Sequence, residues 1–207
     1  VLTKPDSCWP EIFSERATIP ELFLRYFLVL MAIPVVCGFV GALVFGIPIP
    51  PFGTARVSFF NGLIHYLVQY GLMALSLLVG AYIIEFLAPK FEGSISRVNA
   101  FRYFGFSLSA AYIAGVFSLI PVLSFVGVLV SLYGLYVYYQ GIPAATSVPT
   151  TRRVGFFFAS VLGIVISLAI ISIIIGYFSP DLIDPRTSGL EGFEDAMKQL
   201  ENFMPKQ

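Results

Sequence analysis

The chain carries one histidine, two cysteines, twelve basic and twelve acidic side chains among 207 residues, so any chemistry must come from a small set. Asn61, His65 and Gln69 stand at i, i+4 and i+8, which places them on one face of a helix. Such a stripe could line a small cavity or relay protons, or it could hydrogen-bond neighbouring helices. Arg25, Glu85 and Arg102 each lie near the end of an apolar run. They could meet at one depth as an Arg–Glu–Arg cluster, serving as a structural clamp, as snorkelling side chains, or as a ligand or lipid-headgroup site. Arg152 and Arg153 form a basic pair in a connection and could contact lipid headgroups.

Catalytic patterns are missing. The sequence has no His-Glu-x-x-His, no Gly-x-Ser-x-Gly and no phosphate-binding glycine loop. Any nucleophile-plus-base scheme would need His65, and no serine or cysteine stands beside it. Cys8, Cys37 and a single histidine match no structural zinc pattern, and Cys37 reads as a small hydrophobe inside an apolar run. Asp181 and Asp184 are bracketed by Pro180 and Pro185, which reads as a turn rather than a metal pair. The expectation is a protein that is not an enzyme and uses no cofactor and no metal.

The elements that must position these residues follow from composition. Hydrophobic residues make up 57% of the chain and charged ones 12%, with mean hydropathy +0.87. Soluble domains run at about 45–50% apolar and about 25% charged. The surplus rules out a disordered chain, a disulfide framework and an ordinary cytosolic enzyme, and it points to a membrane protein. Twenty-one Phe and eleven Tyr suit interfacial aromatic belts. The formal net charge of zero offers no basic face for nucleic acid.

Five apolar runs are long enough to cross a bilayer, at 22–47, 62–88, 103–120, 122–140 and 154–178. The third and fourth are separated only by Pro121 and read as a tight helical hairpin. Pro48, Pro50 and Pro51 prevent the first run from continuing, and Gly141 to Pro149 carries the turn chemistry that ends the fourth. The predicted fold is all-α: a five-helix transmembrane bundle with short amphipathic helices at both ends. Residues 1–21 form an N-terminal interfacial segment, 22–178 the transmembrane domain and 179–207 an external amphipathic tail.

Basic residues fix the expected orientation. Lys4, Arg16, Arg25, Lys90, Arg97, Arg102, Arg152 and Arg153 fall on one side of the five crossings, and Arg56, Arg186, Lys198 and Lys206 on the other. The positive-inside rule then makes the N-terminus cytoplasmic and the C-terminus external. Asp6, Glu11 and Glu15 are not expected in the apolar region of a signal peptide. Trp9, Ile12 and Phe13 suit the headgroup boundary, and Thr18 with Glu21 forms a capping box opening the first span. In the tail, Leu190, Phe193, Met197, Leu200 and Phe203 line one helical face, and its three bases against six acids argue against anionic lipid. Small-residue pairs four apart, such as Ala110/Ala114, Ala111/Gly115, Gly127/Ser131 and Gly163/Ser167, permit close helix approach in a bundle or an oligomer.

A set of short motifs in order resembles the Yip family of five-span proteins named for interacting with Ypt/Rab GTPases. It comprises Leu2-Thr-Lys-Pro5, Trp9, Leu22-Phe-Leu-Arg-Tyr26, Ala32-Ile-Pro34, Phe91-Glu-Gly93, Pro121-Val-Leu123 and Tyr136-Val-Tyr-Tyr-Gln-Gly-Ile-Pro143 followed by a basic pair. The resemblance spans about residues 2–178. It implies an all-helical bundle with a cytoplasmic N-terminus and an outward C-terminus. The Asp-Leu-Tyr-Gly-Pro motif of eukaryotic members is absent, so a prokaryotic member in the bacterial inner membrane is expected, with no Rab-type GTPase as partner. The function read here is a membrane scaffold or accessory subunit contacting lipids, other integral membrane proteins or copies of itself. The alternative is a small transporter or channel-like protein with a polar path through spans one to three.

Overall fold

The computed structural model describes residues 9, 12–14, 17–49, 53–55 and 59–178. Cys8, the acids Asp6, Glu11 and Glu15, the Asp181/Asp184 turn and the amphipathic tail at 179–207 lie outside the described residues. Within them the chain is a helical bundle: α1 (Ile19–Phe45), α2 (Phe59–Leu87), α3 (Arg97–Ala114), α4 (Ser124–Thr146) and α5 (Arg153–Phe178). A two-stranded antiparallel ribbon, β1 (Ile47–Ile49) and β2 (Gly53–Ala55), joins α1 to α2. This ribbon departs from the all-α expectation. Pro48 is tolerated in β1, because proline is confined to edge strands and each strand of a two-stranded ribbon is an edge.

Each helix start and stop has a local cause. Glu21 Oε2 accepts from both the backbone N–H and the hydroxyl of Thr18, so the expected box opens α1. Phe23–Phe27 makes one π turn in α1, and Gly46, at φ 76°, ends that helix in a conformation an L-residue avoids. Ser96 caps α3 by accepting from Asn99 N–H. Between α3 and α4 the chain makes 3-10 turns at Gly115–Leu119 and Pro121–Leu123 around an extended Ile120. That is the hairpin expected there, with the residue before proline pushed out of the helical region. α4 runs to Thr146, beyond the stop expected at Gly141. Pro143 removes one donor, yet the last turn is anchored by Ile142, Ala145 and Thr146, all buried.

The chain is a polytopic membrane protein. Among the described residues, four helical stretches, Ile19–Phe45, Phe59–Phe91, Pro121–Thr146 and Thr150–Ile173, are long and apolar enough to cross a membrane. Large side chains such as Val29, Val36, Leu67, Phe125, Leu129, Phe158 and Leu162 stand exposed along them, as a hydrocarbon solvent permits. α3 is the shortest and least apolar of the five helices and the most enclosed: Ala100 to Gly105, Ser107, Ser109, Ala110, Tyr112 and Ala114 are all buried. Its eighteen residues cover about 27 Å at 1.5 Å each, and the 3-10 turn that follows lengthens the path.

The core lies around α3. Phe27 and Met31 from α1, Leu77 and Ile84 from α2, and Val137, Tyr138 and Ile142 from α4 close on Phe101, Tyr103 and Phe104. Close approach is set by glycine. A Cβ at Gly80 or Gly105 would enter the rings of Phe104 or Phe27 respectively, so these positions let α2 and α1 reach α3. Gly115 presses on Pro34, and Gly163 on Ile83, which places small-residue pairs read from the sequence at helix contacts. Buried hydroxyls bond inside the bundle. Tyr103 donates to the Tyr138 carbonyl, Tyr138 to Ser160 Oγ at 2.8 Å, and Ser107 to the Tyr103 carbonyl at 2.7 Å. Within a hydrocarbon layer such groups must find their partners inside the protein.

Candidate functional site

Every charged side chain among the described residues lies at one end of the bundle: Glu21, Arg25, Glu85, Lys90, Glu92, Arg97, Arg102, Arg152 and Arg153. That end gathers the start of α1, the α2–α3 connection, the α4–α5 connection and the segment around Trp9. Hydrogen bonds and ion pairs knit these pieces together.

Arg102 is the centre of the arrangement. It is 4% exposed, and its guanidinium donates to the carbonyls of Ala17 at 2.5 Å and Ile12 at 3.5 Å. A buried cation is costly unless hydrogen-bonded, so these carbonyls hold the N-terminal segment against α3. Trp9, 1% exposed, packs edge-on to Tyr103 and stacks on Phe13. A Cβ at Gly141 would lie 2.6 Å from Tyr103 and 2.7 Å from the Trp9 indole. The indole is therefore a core side chain and not a headgroup anchor as its sequence context suggested. The reason is the glycine notch in α4, which opens a slot deep enough for the ring.

The expected Arg25–Glu85–Arg102 cluster does not form. Glu85 pairs instead with Arg97 Nε at 2.9 Å, Arg102 is committed to backbone carbonyls, and Arg25 is exposed on the π turn of α1. The geometry of a helical hairpin explains the choice. Glu85 lies six residues before Phe91 and Arg97 six after it, so the two stand level across the α2–α3 turn. Arg102 is a turn and a half farther in and faces a different neighbour. Arg97 was the partner sequence reasoning missed, and equal distance from the turn was the signal that could have found it.

Arg152 and Arg153 sit at the start of α5. Arg152 pairs with Glu92 at 2.8 Å across two connections. Arg153 is half-buried, and its Nε has no hydrogen-bond partner. Next to them Ser94 N–H donates to the Thr146 carbonyl at 2.8 Å, Phe91 packs edge-on to Phe156, and Lys90 lies 3.9 Å over the Phe86 ring. Exposed ion pairs contribute little stability individually. Together with the backbone bond they fix the relative position of the two connections. A hollow of about 230 Å³ opens beside the Glu85–Arg97 pair, walled by Ile19, Leu78, Tyr82 and Phe101.

The polar stripe lies elsewhere. Asn61 and His65 are exposed and Gln69 half-buried near the opposite end of α2, with the imidazole edge-on to Tyr66. None of the three, and none of Arg25, Glu85 and Arg102, lines the larger cavity of the bundle. Among the described residues, the stripe and the charged end thus share no part of that cavity.

A model of the Yip1 domain matches residues 1–178. The chain belongs to the Yip1 family. A relative described as inner membrane protein YohC, from Escherichia coli strain K12, is 26% identical over 186 residues, covering 86% of this chain and 94% of its own. The protein of the same description from Escherichia coli O6:H1 matches to the same extent. No solved structure matches. The Yip1 match reaches from the N-terminal segment through α5, so it covers the whole charged platform.

Proposed function

We propose that this Yip1-family protein is a non-enzymatic scaffold or accessory subunit of the bacterial inner membrane. The observation that carries the reading is the segregation of all nine described charges to one end, where Arg102, the Ser94–Thr146 bond and the Glu92–Arg152 pair tie three chain segments into one surface. A surface held this way is preorganised, so a partner pays little ordering entropy to dock on it. The inner-membrane location rests on the relatives from Escherichia coli. In this reading α3 is the fifth crossing, the platform is cytoplasmic by its basic excess of six to three, and the chain leaves α5 on the outer side.

The hollow beside Glu85 and Arg97 offers such a partner an apolar floor with a charged rim. Solubilising native membranes in mild detergent is expected to yield the protein in a stoichiometric complex with another membrane protein, or as an oligomer by native mass spectrometry. The variant Arg152→Glu should weaken that association severalfold while the bundle stays folded. A wild-type protein that emerges as a clean monomer overturns the proposal.

A further inference from the structure

The larger cavity of the bundle, about 260 Å³, lies between α2, α3, α4 and α5. Its depth follows from the helix contacts. Gly80 packs on Phe104 and Gly115 on Pro34, a residue near the midpoint of α1, and Tyr112 lies between those two levels on α3. Its side chain leans back toward the start of that helix, so the hydroxyl stands near the middle of the bundle's length. Leu135 on α4 and Val165 and Leu168 on α5 line the cavity and are also exposed. They mark a mouth between α4 and α5 that faces the lipid.

Its polar groups differ in kind. Ser76, Ser107 and Ser131 each donate to a carbonyl three or four residues back on their own helix, so their protons are spent. Tyr112 is 5% exposed, lines the cavity, and its hydroxyl is buried with no hydrogen-bond partner. An unmet donor of this kind is costly within a hydrocarbon layer. The group that meets it must be an acceptor carried to the middle of the membrane. Glycerolipid esters and headgroups stay at the two faces of a bilayer, out of its reach. An ionised group is costly at that depth, and no charged side chain lines the cavity to receive one.

We infer that this cavity binds the ring of a prenylated quinone, entering sideways between α4 and α5, with one ring carbonyl accepting from Tyr112. An oxidised quinone ring is uncharged and carries acceptors on an otherwise apolar body, and its tail keeps it inside the hydrocarbon layer. An engineered apolar cavity of about 150 Å³ takes up benzene, so this larger one has room for a substituted ring. Phe104 and Tyr138 supply aromatic walls, against which a planar ring packs well. The prenyl tail leaves through the mouth beside Leu135 and Val165 and lies in the lipid. This site is independent of the scaffold reading, since it involves neither the charged platform nor its partner.

The test uses the full-length protein in phosphatidylethanolamine vesicles loaded either with decylubiquinone or with a decylbenzene of matched substitution that lacks the ring carbonyls. Ligand retained after mild detergent extraction is counted by native mass spectrometry. Tyr112→Phe is expected to lower retention of the quinone about fivefold, the worth of one hydrogen bond, and to leave retention of the carbonyl-free analogue unchanged. Ala111→Trp, which fills the cavity, should lower retention of both. Emission of Trp9, recorded before either ligand is added, reports that each variant is folded. Quinone retention that is the same in wild type and Ala111→Trp, or the same in wild type and Tyr112→Phe, overturns the proposal. So does an equal loss of both ligands in Tyr112→Phe, or a phospholipid that occupies the wild-type cavity in place of the quinone and is lost in Ala111→Trp.

Discussion

Arg102 shows what a single side chain does in this bundle. Its five donors on a rigid fork reach two carbonyls at once, which an ammonium on a flexible stem does not reproduce. Arg102→Lys is therefore expected to free the N-terminal segment at a cost of about 1.5–3 kcal/mol, the range for hydrogen bonds to a charged group. Trp9 is the chain's one tryptophan, so the effect is read directly as a red shift of intrinsic emission. Emission that stays at the wild-type wavelength would show that the aromatic packing on Tyr103 suffices. The sequence placed Arg102 near the end of an apolar run, as a clamp, a snorkelling side chain or part of a ligand site. Its partners were not legible, because they are backbone carbonyls 85 and 90 residues away and every residue carries a carbonyl. Trp9 was misplaced for a related reason: an indole reads alike beside a headgroup and inside a notch, and the notch belongs to Gly141.

At the scale of elements, apolar length and proline placement made most of the helices legible. The hairpin at Pro121 and the capping box at Thr18 needed only local rules. α3 was harder, since its polar residues weaken the hydropathy signal while its burial is the deepest. Only packing from α1, α2 and α4 reveals that role. The end of α4 illustrates a tertiary override: buried Ile142, Ala145 and Thr146 hold helical a segment that turn chemistry would have released. The cost appears one residue later, where Ser147 adopts φ 52°. Glycine takes that conformation without the side-chain clash. Ser147→Gly is expected to raise thermal stability by about 0.5–1 kcal/mol, less the entropy glycine adds to the unfolded chain. An upward shift of Tm in detergent checks this, and a fall would mean the Ser147 side chain serves the platform.

For the whole molecule, the arrangement of charge is the property most visible in the sequence and most consistent with the fold. The split of basic residues suggested a sided molecule, and the structure gathers all nine described charges at one end. The same arrangement makes a topological prediction. If α3 crosses, the turn at Pro121 and the platform lie on opposite sides. In a variant lacking Cys8 and Cys37, a cysteine replacing the exposed Val122 should react with an impermeant maleimide added outside intact cells. One replacing Lys90 should react only after the inner face is opened. Labelling of both from the same side would mean that α3 returns without crossing.

The uncharged turn at Gly115–Leu123 has a consequence for how the protein is made. α3 is too polar to rest comfortably in lipid by itself, and its arginines stand at the end away from that turn. α4, apolar and antiparallel to it, supplies the missing driving force. If α3 crosses, the two enter together and carry only Gly115–Leu123 through the hydrocarbon, a stretch with no ionisable side chain. With that topology no ion is dragged through oil, and Arg102 stays on the side of its synthesis, where the carbonyls of Ile12 and Ala17 receive it.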